Sequence, residues 1–120
     1  MKTTAAQFKY FCERCRKWQA WFGFTEVTLE FRHKNDPGAR AWFDHSSRHG
    51  LATIGLAVNW DYRPDNDELD RCAFHEVFEI MLVGIETWCR CTPAHLLEEE
   101  RHHIVRRMEN TVWPTLKGLV

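Results

Sequence analysis

His75, Glu76 and Glu79 sit in the run Ala73-Phe74-His75-Glu76-Val77-Phe78-Glu79-Ile80, whose other members are all apolar. His75 and Glu79 are four residues apart, which puts them one turn apart on the same side of a helix. There, an imidazole nitrogen and a carboxylate oxygen can hold one divalent metal ion together. Glu76 stands about 100° round the helix from His75 and about 60° from Glu79, at 3.6 residues per turn. A carboxylate placed beside a metal, rather than on it, can take a proton from a water that the metal acidifies.

Such a site needs at least one more ligand, and Glu98-Glu99-Glu100-Arg101-His102-His103 offers candidates. Glu98 and His102 are again four apart, on the flank of an apolar helical stripe. Two antiparallel helices, each presenting a carboxylate and an imidazole one turn apart, can close a three- or four-ligand site. The opposing interpretation is a solvated surface. Arg71, His75, Glu79 and Glu86 share one stripe that ion pairs could lace together, and residues 98–103 could form an exposed charged turn.

These side chains have to be positioned by a small set of elements. Phe8, Phe11, Cys12, Cys15, Trp18 and Phe22 recur at three- and four-residue steps, predicting a helix over 4–22 capped by Thr3 or Thr4 and stopped near Gly23. The period then shifts to two. Val27, Leu29 and Phe31 face one way and Thr28, Glu30 and Arg32 the other, predicting a half-buried strand over 24–32. Asn35-Asp36-Pro37-Gly38 reads as a turn, 39–44 as a second strand, and 51–60 as a third with Gly55 at a bulge. A helix over 68–85, with Asn66 or Asp67 at its N-cap, carries the His75 motif. A last helix runs from Pro93 or Ala94 to Val112, buries Leu97, Ile104, Val105, Met108 and Val112, and leaves Pro114 beyond its end. The order predicts one α+β domain over residues 1–120: an N-terminal helix, a small three-stranded antiparallel or mixed sheet, a motif helix and a C-terminal helix.

Composition narrows the function classes. The 120 residues fit a single domain, and a 44% hydrophobic share with 13% aromatics supports a packed core. A formal charge of −1 argues against a dedicated nucleic-acid binder, which needs a basic excess to displace counterions. No apolar run reaches the roughly 18 residues of a membrane span, and residues 1–9 lack a signal-peptide core. The expectation is a cytoplasmic protein with its five cysteines reduced. Six tryptophans are many for this length, and some are expected to line a surface or groove.

The motif helix is the H-E-x-x-H zinc-peptidase pattern with Glu79 in place of the second histidine. The last seventy residues resemble small phage- and prophage-encoded metallopeptidases of the zincin (gluzincin-like) class. The resemblance lies in a strand ending at Trp60, an acidic loop, the opening Leu69-Asp70-Arg71-Cys72-Ala73-Phe74-His75-Glu76, and an acidic helix ending Val105-Arg106-Arg107-Met108-Glu109-Asn110. It implies a minimal zincin-like fold with His75 as a metal ligand, Glu76 as general base and Glu79 in the second ligand position. His102 would match the downstream histidine, and the acids before it, Glu98 among them, would hold a third ligand. By the same resemblance Ala57, Asn59 and Trp60 border a groove where a peptide pairs along a strand edge.

The implied cofactor is Zn²⁺, and a His, Glu and His set also suits iron or manganese. A carboxylate at Glu79 lowers the net charge of the centre, so a non-catalytic relative that binds a protein through its Trp-rich surface is the second expectation. The cysteines offer a rival. Cys12, Cys15, Cys89 and Cys91 could form a four-thiolate zinc centre, although Cys12 and Cys15 lie within a predicted helix and suit core packing. Cys72 reads as core, and no thiol carries the local marks of a nucleophile. His33, His45 and His49 read as surface polar residues.

Overall fold

The computed structural model describes residues 1–35, 38–46, 50–86 and 93–120. Helix α1 (Ala5–Phe22) begins at Thr4, whose hydroxyl accepts from the Gln7 amide while the Gln7 side chain accepts from the Thr4 amide. It buries Phe11, Cys15 and Trp18 and stops at Gly23, whose φ of 76° suits only a residue without Cβ. The Gln19 side chain then donates to the Phe24 and Val27 carbonyls. That local capture occupies 24–27, so strand β1 (Thr28–His33) starts four residues later than the alternation suggests. Within β1 the expected faces hold: Leu29 and Phe31 turn inward, Glu30 and Arg32 outward.

Strands β2 (Ala41–Ser46) and β3 (Leu51–Leu56) complete a mixed sheet in the order β1-β3-β2. β3 is central, parallel to β1 and antiparallel to β2. Gly55 is not a bulge; it pairs in register with Arg32 and Trp42. A Cβ on Gly55 would come within 1.9 Å of the Trp42 indole, so the glycine is there to let that ring lie across the strand. The third strand also ends at Leu56 rather than at Trp60. Residues 57–60 leave the sheet and run beside the first three residues, with Thr3 donating to the Val58 carbonyl at 2.7 Å and Trp60 to that of Met1 at 2.7 Å.

Helix α2 (Asn66–Glu86) is capped by Asp65, ahead of both expected positions, Asn66 and Asp67. The Glu68 amide donates to Asp65 at 2.8 Å and the Asp65 amide to Glu68 at 3.1 Å. α2 lays Leu69, Ala73, Phe74 and Val77 against Phe11 and Trp18 of α1 and Ile54 and Leu56 of β3, which makes one core. A buried polar knot fixes its orientation. Asp70 accepts from Arg14 at 2.6 Å, Trp18 at 2.8 Å and Trp113 at 3.1 Å. A buried carboxylate with three donors is compensated rather than stranded. α3 (Ala94–Thr111) follows, then a short turn of helix, α4 (Trp113–Leu116). Pro114 lies past the end of α3, as expected, and sits in the first turn of α4, where its missing N–H costs nothing.

Four helices and a three-stranded mixed sheet make this an α+β protein. No helix among the described residues is long and apolar enough to cross a membrane.

Candidate metal centre

Helices α2 and α3 lie antiparallel along the motif face, so that Glu79 meets His102 while His75, one turn earlier, meets Glu109. The Nε2 of His75 is 3.5 Å from one oxygen of Glu79, and the Nδ1 of His102 is 2.7 Å from the other. One donor atom from each of His75, Glu79 and His102 lies within 4.8 Å of the other two, so this group could hold a metal ion. Glu79 is only 3% exposed, which removes the solvated-stripe interpretation of α2. Its Oε1 is buried without a hydrogen bond among the described residues, despite the nearby His102 nitrogen. Two donor atoms close together but out of hydrogen-bonding line suit a shared cation between them.

The orientation of His75 is fixed from behind. Its Nδ1 donates to Glu109, which leaves Nε2 turned toward Glu79. Glu109 is held in turn by Arg71 at 3.2 Å, and Arg71 also donates to Asn110 at 2.6 Å. A carboxylate behind a ligand histidine selects its tautomer and strengthens its donor nitrogen.

The charges at the site are strongly coupled. Burial alone would lower the pKa of His75, but the hydrogen bonds to Glu109 and Glu79 and the nearby carboxylates raise it to about 10. Burial pushes Glu79 up as well, and is outweighed by the His75 hydrogen bond and the charges of His75, His102 and Arg101, which hold it below the usual carboxylate range. Glu76 has no such rescue. Burial raises it to about 8, with the negative charges of Glu79 and Glu109 adding to the effect against His75 and Arg101. Its Oε2 is buried with no hydrogen-bond partner among the described residues. A buried carboxylate oxygen without a partner is costly and calls for a functional account.

His75 and Glu76 open onto a cleft of about 990 Å³ that Ala57, Asn59 and Trp60 also line. The structure thus gathers the candidate ligand, the candidate base and the three groove residues around one space. The strand-edge expectation does not survive with them. β3 is flanked on both sides, and the amides of Ala57, Asn59 and Trp60 already donate to Arg40, Asn35 and Met1. These residues can meet a ligand through side chains, not through a vacant backbone edge. Arg40 stacks over Trp60 and Tyr62 at 5.5 and 5.0 Å, giving the cleft an aromatic and cationic wall.

Glu98 is not brought into the group: its side chain is 62% exposed and lies 3.8 Å from the Nε2 of His102, the nitrogen turned away from Glu79. Of residues 98–103, only Arg101 and His102 turn inward. Cys12 and Cys15 are free and buried, and burial raises both thiols, Cys12 to about 11, as befits core packing. Cys89 and Cys91 lie outside the described residues. Cys72 is half-buried: it packs against the core, as expected, and also lines the cleft, and burial pushes its thiol up to about 12. His33 is half-buried, bonded to Thr3 at 2.7 Å and stacked on Phe8 at 4.7 Å, away from the group.

Glu109 and Arg101 are the site residues that motif spacing missed. Glu109 is seven residues after His102, two turns along the same face of α3, and that interval was the available signal. Fold and site together define an α+β protein with a His-Glu-His group suited to a divalent ion, set beside a buried carboxylate at the wall of a cleft. No family model, curated protein or solved structure matches the chain.

Proposed function

We propose that this protein is a metal-dependent hydrolase of zincin-like type, acting on peptide bonds, with His75, Glu79 and His102 as the metal ligands and Glu76 as the general base. The observation that carries this reading is the convergence of three donor atoms within 4.8 Å, next to a buried carboxylate with an unpartnered oxygen. Zinc is the expected ion, and two imidazoles with one carboxylate also suit iron or manganese. When bound, such an ion supplies Lewis acidity and lowers the pKa of water.

The chain's own groups do the rest. Glu109 holds His75 so that its Nε2 points inward. Glu76, at the cleft wall, accepts the proton of the attacking water and returns it to the leaving amine. The Trp60, Tyr62 and Arg40 wall holds the substrate chain. A second reading, a protein-binding module that keeps the fold without catalysis, is favoured by the carboxylate at Glu79, which weakens the Lewis acidity of the centre.

Metal analysis of tag-free protein tests the first reading. One equivalent of a divalent ion is expected, lost in His75→Ala and retained in Glu76→Gln. Hydrolysis of an unfolded protein such as casein is expected for wild type and lost in both variants. Metal bound without hydrolysis would select the binding module, and no metal at all would end both the enzyme and the centre.

A further inference from the structure

Three arginines line the cleft beside the candidate centre: Arg40, Arg71 and Arg106. Two of them are already engaged. Arg40 reaches Asp61 at 3.3 Å and lies over Trp60 and Tyr62, while Arg71 holds Glu109 at 3.2 Å and Asn110 at 2.6 Å. The acids of the cleft are taken as well: Asp61 by Arg40, Glu68 by the Tyr62 hydroxyl at 2.6 Å, and Glu109 by Arg71 and His75. Arg106 differs. It is exposed, and among the described residues its side chain makes no ion pair, hydrogen bond or ring contact. Glu76 keeps an oxygen without a partner on the same cleft, so the two do not satisfy each other.

The position of Arg106 on α3 gives that charge a use. It follows His102 by four residues and precedes Glu109 by three, about 40° and about 60° round the helix from them at 3.6 residues per turn. Those two neighbours reach Glu79 and His75, so the stripe that serves the candidate centre also carries Arg106. Arg106 lines both the cleft and a shallow depression beside His102, which Glu98 and Glu99 share without pairing with it. Four residues of helix rise about 6 Å, and an extended chain advances about 3.3–3.6 Å per residue. A group held by Arg106 therefore lies about two residues along a peptide from a bond held beside His102.

We propose that Arg106 takes a carboxylate of the bound peptide, from an acidic side chain or a free C-terminus, about two residues from the bond at the metal centre. A guanidinium is permanently charged and its paired N–H groups match the two oxygens of a carboxylate. Arg106 thereby makes the cleft selective for anionic peptides, while the Trp60, Tyr62 and Arg40 wall is indifferent to that charge. The inference rests on the reading above that the cleft receives a peptide chain.

The test measures binding rather than turnover. Three dye-labelled hexapeptides with one central Phe are titrated with the metal-free full-length chain by fluorescence anisotropy. The first has Glu two residues after the Phe and both ends blocked, the second Gln there with both ends blocked, and the third Gln there with a free C-terminus. Wild type is expected to bind the first or the third about tenfold more tightly than the second, and which of them wins tells side chain from chain terminus. In Arg106→Gln the preference is expected to shrink to within about twofold, and in Arg106→Lys to survive in part. Arg107→Gln removes the same charge from the next, exposed residue and is expected to keep the full preference.

A wild type that binds none of the three, or all three alike, overturns the proposal. So does a preference that outlasts Arg106→Gln, or one that falls equally in Arg107→Gln, which would reflect overall charge. Arg106-dependent binding in a chain that hydrolyses nothing upholds the carboxylate site and removes only the enzyme. Hydrolysis of casein with no Arg106-dependent preference removes only the carboxylate site.

Discussion

Glu76 shows what burying an acid costs. Its pKa of about 8 exceeds the value near 4.5 of an unfolded glutamate, so the native state holds a proton that the unfolded chain has already released. Stability must therefore fall as pH climbs from about 4.5 to 8. Glu76→Gln keeps the shape and loses the ionisation. At pH 8.5 the metal-free variant is expected to be more stable than wild type by about 1–3 kcal/mol, with the gap closing toward pH 5. Urea melts at the two pH values read this, and parallel curves would count against it. The same variant is expected to lose hydrolysis by about 10²–10⁴-fold, the range a general base contributes. His75 adds a second linkage. Raised to about 10 in the metal-free protein, it contributes stability that is complete below about 6.5 and lost as pH rises through 10. A metal must displace that proton, so zinc affinity should tighten by about tenfold per pH unit between pH 7 and 9, with about one proton released per ion. Calorimetry in two buffers of different ionisation enthalpy measures the proton directly; a buffer-independent heat would refute the displacement.

The pairing of α2 with α3 makes a site out of these residues, and it was only half legible in the sequence. The His75 and Glu79 spacing placed two candidate donors on one helix face, and His102 is the residue of the next helix that the structure brings beside them. Glu98 drew attention as the four-residue partner of His102, yet α3 is rotated so that residues 98–100 face solvent. The reason is the way α3 docks. Of its expected apolar stripe only Val105 is fully buried, while Ile104 is exposed, so the helix is seated by its polar face as much as by grease. Apolar periodicity cannot report such a face. The strand order escaped for a related reason. Alternation sets which side of a strand is buried, but the central place of β3 depends on pairings between distant residues. Glu109 is where this docking can be tested. Glu109→Gln should preserve the fold and weaken metal binding by about 10–100-fold, because His75 loses the carboxylate that orients it. Glu109→Asp should recover part of the loss. Affinity unchanged in Glu109→Gln would mean that the contact only ties α3 to α2.

Stability is spread unevenly over the molecule, and the candidate metal centre sits on the boundary. α1, α2 and the sheet share the core of Phe11, Trp18, Ile54, Leu56, Phe74 and Val77, reinforced by Asp70 and its three donors. α3 joins that body through Val105, the polar contacts of Arg101, His102 and Glu109, and the Trp113 anchor just beyond it. Around Glu79 the contacts that draw α3 inward are between polar and charged groups close to one another. An ion bound there would join the two helices directly, adding about 2.7 kcal/mol when its free concentration is a hundred times its Kd. That gain should appear mainly where the ion acts. Amide hydrogen exchange in 94–111 is expected to slow by about one to two orders of magnitude on zinc loading, since local opening of α3 must then break the ligand set. Exchange in α1 and β3, which opens only with the core, should change far less unless global unfolding dominates it. Removing zinc with a chelator should restore the faster exchange in α3, and Glu76→Gln, whose ligands are intact, should show the same protection as wild type. Uniform slowing across every element would instead place α3 within the same cooperative unit as the core.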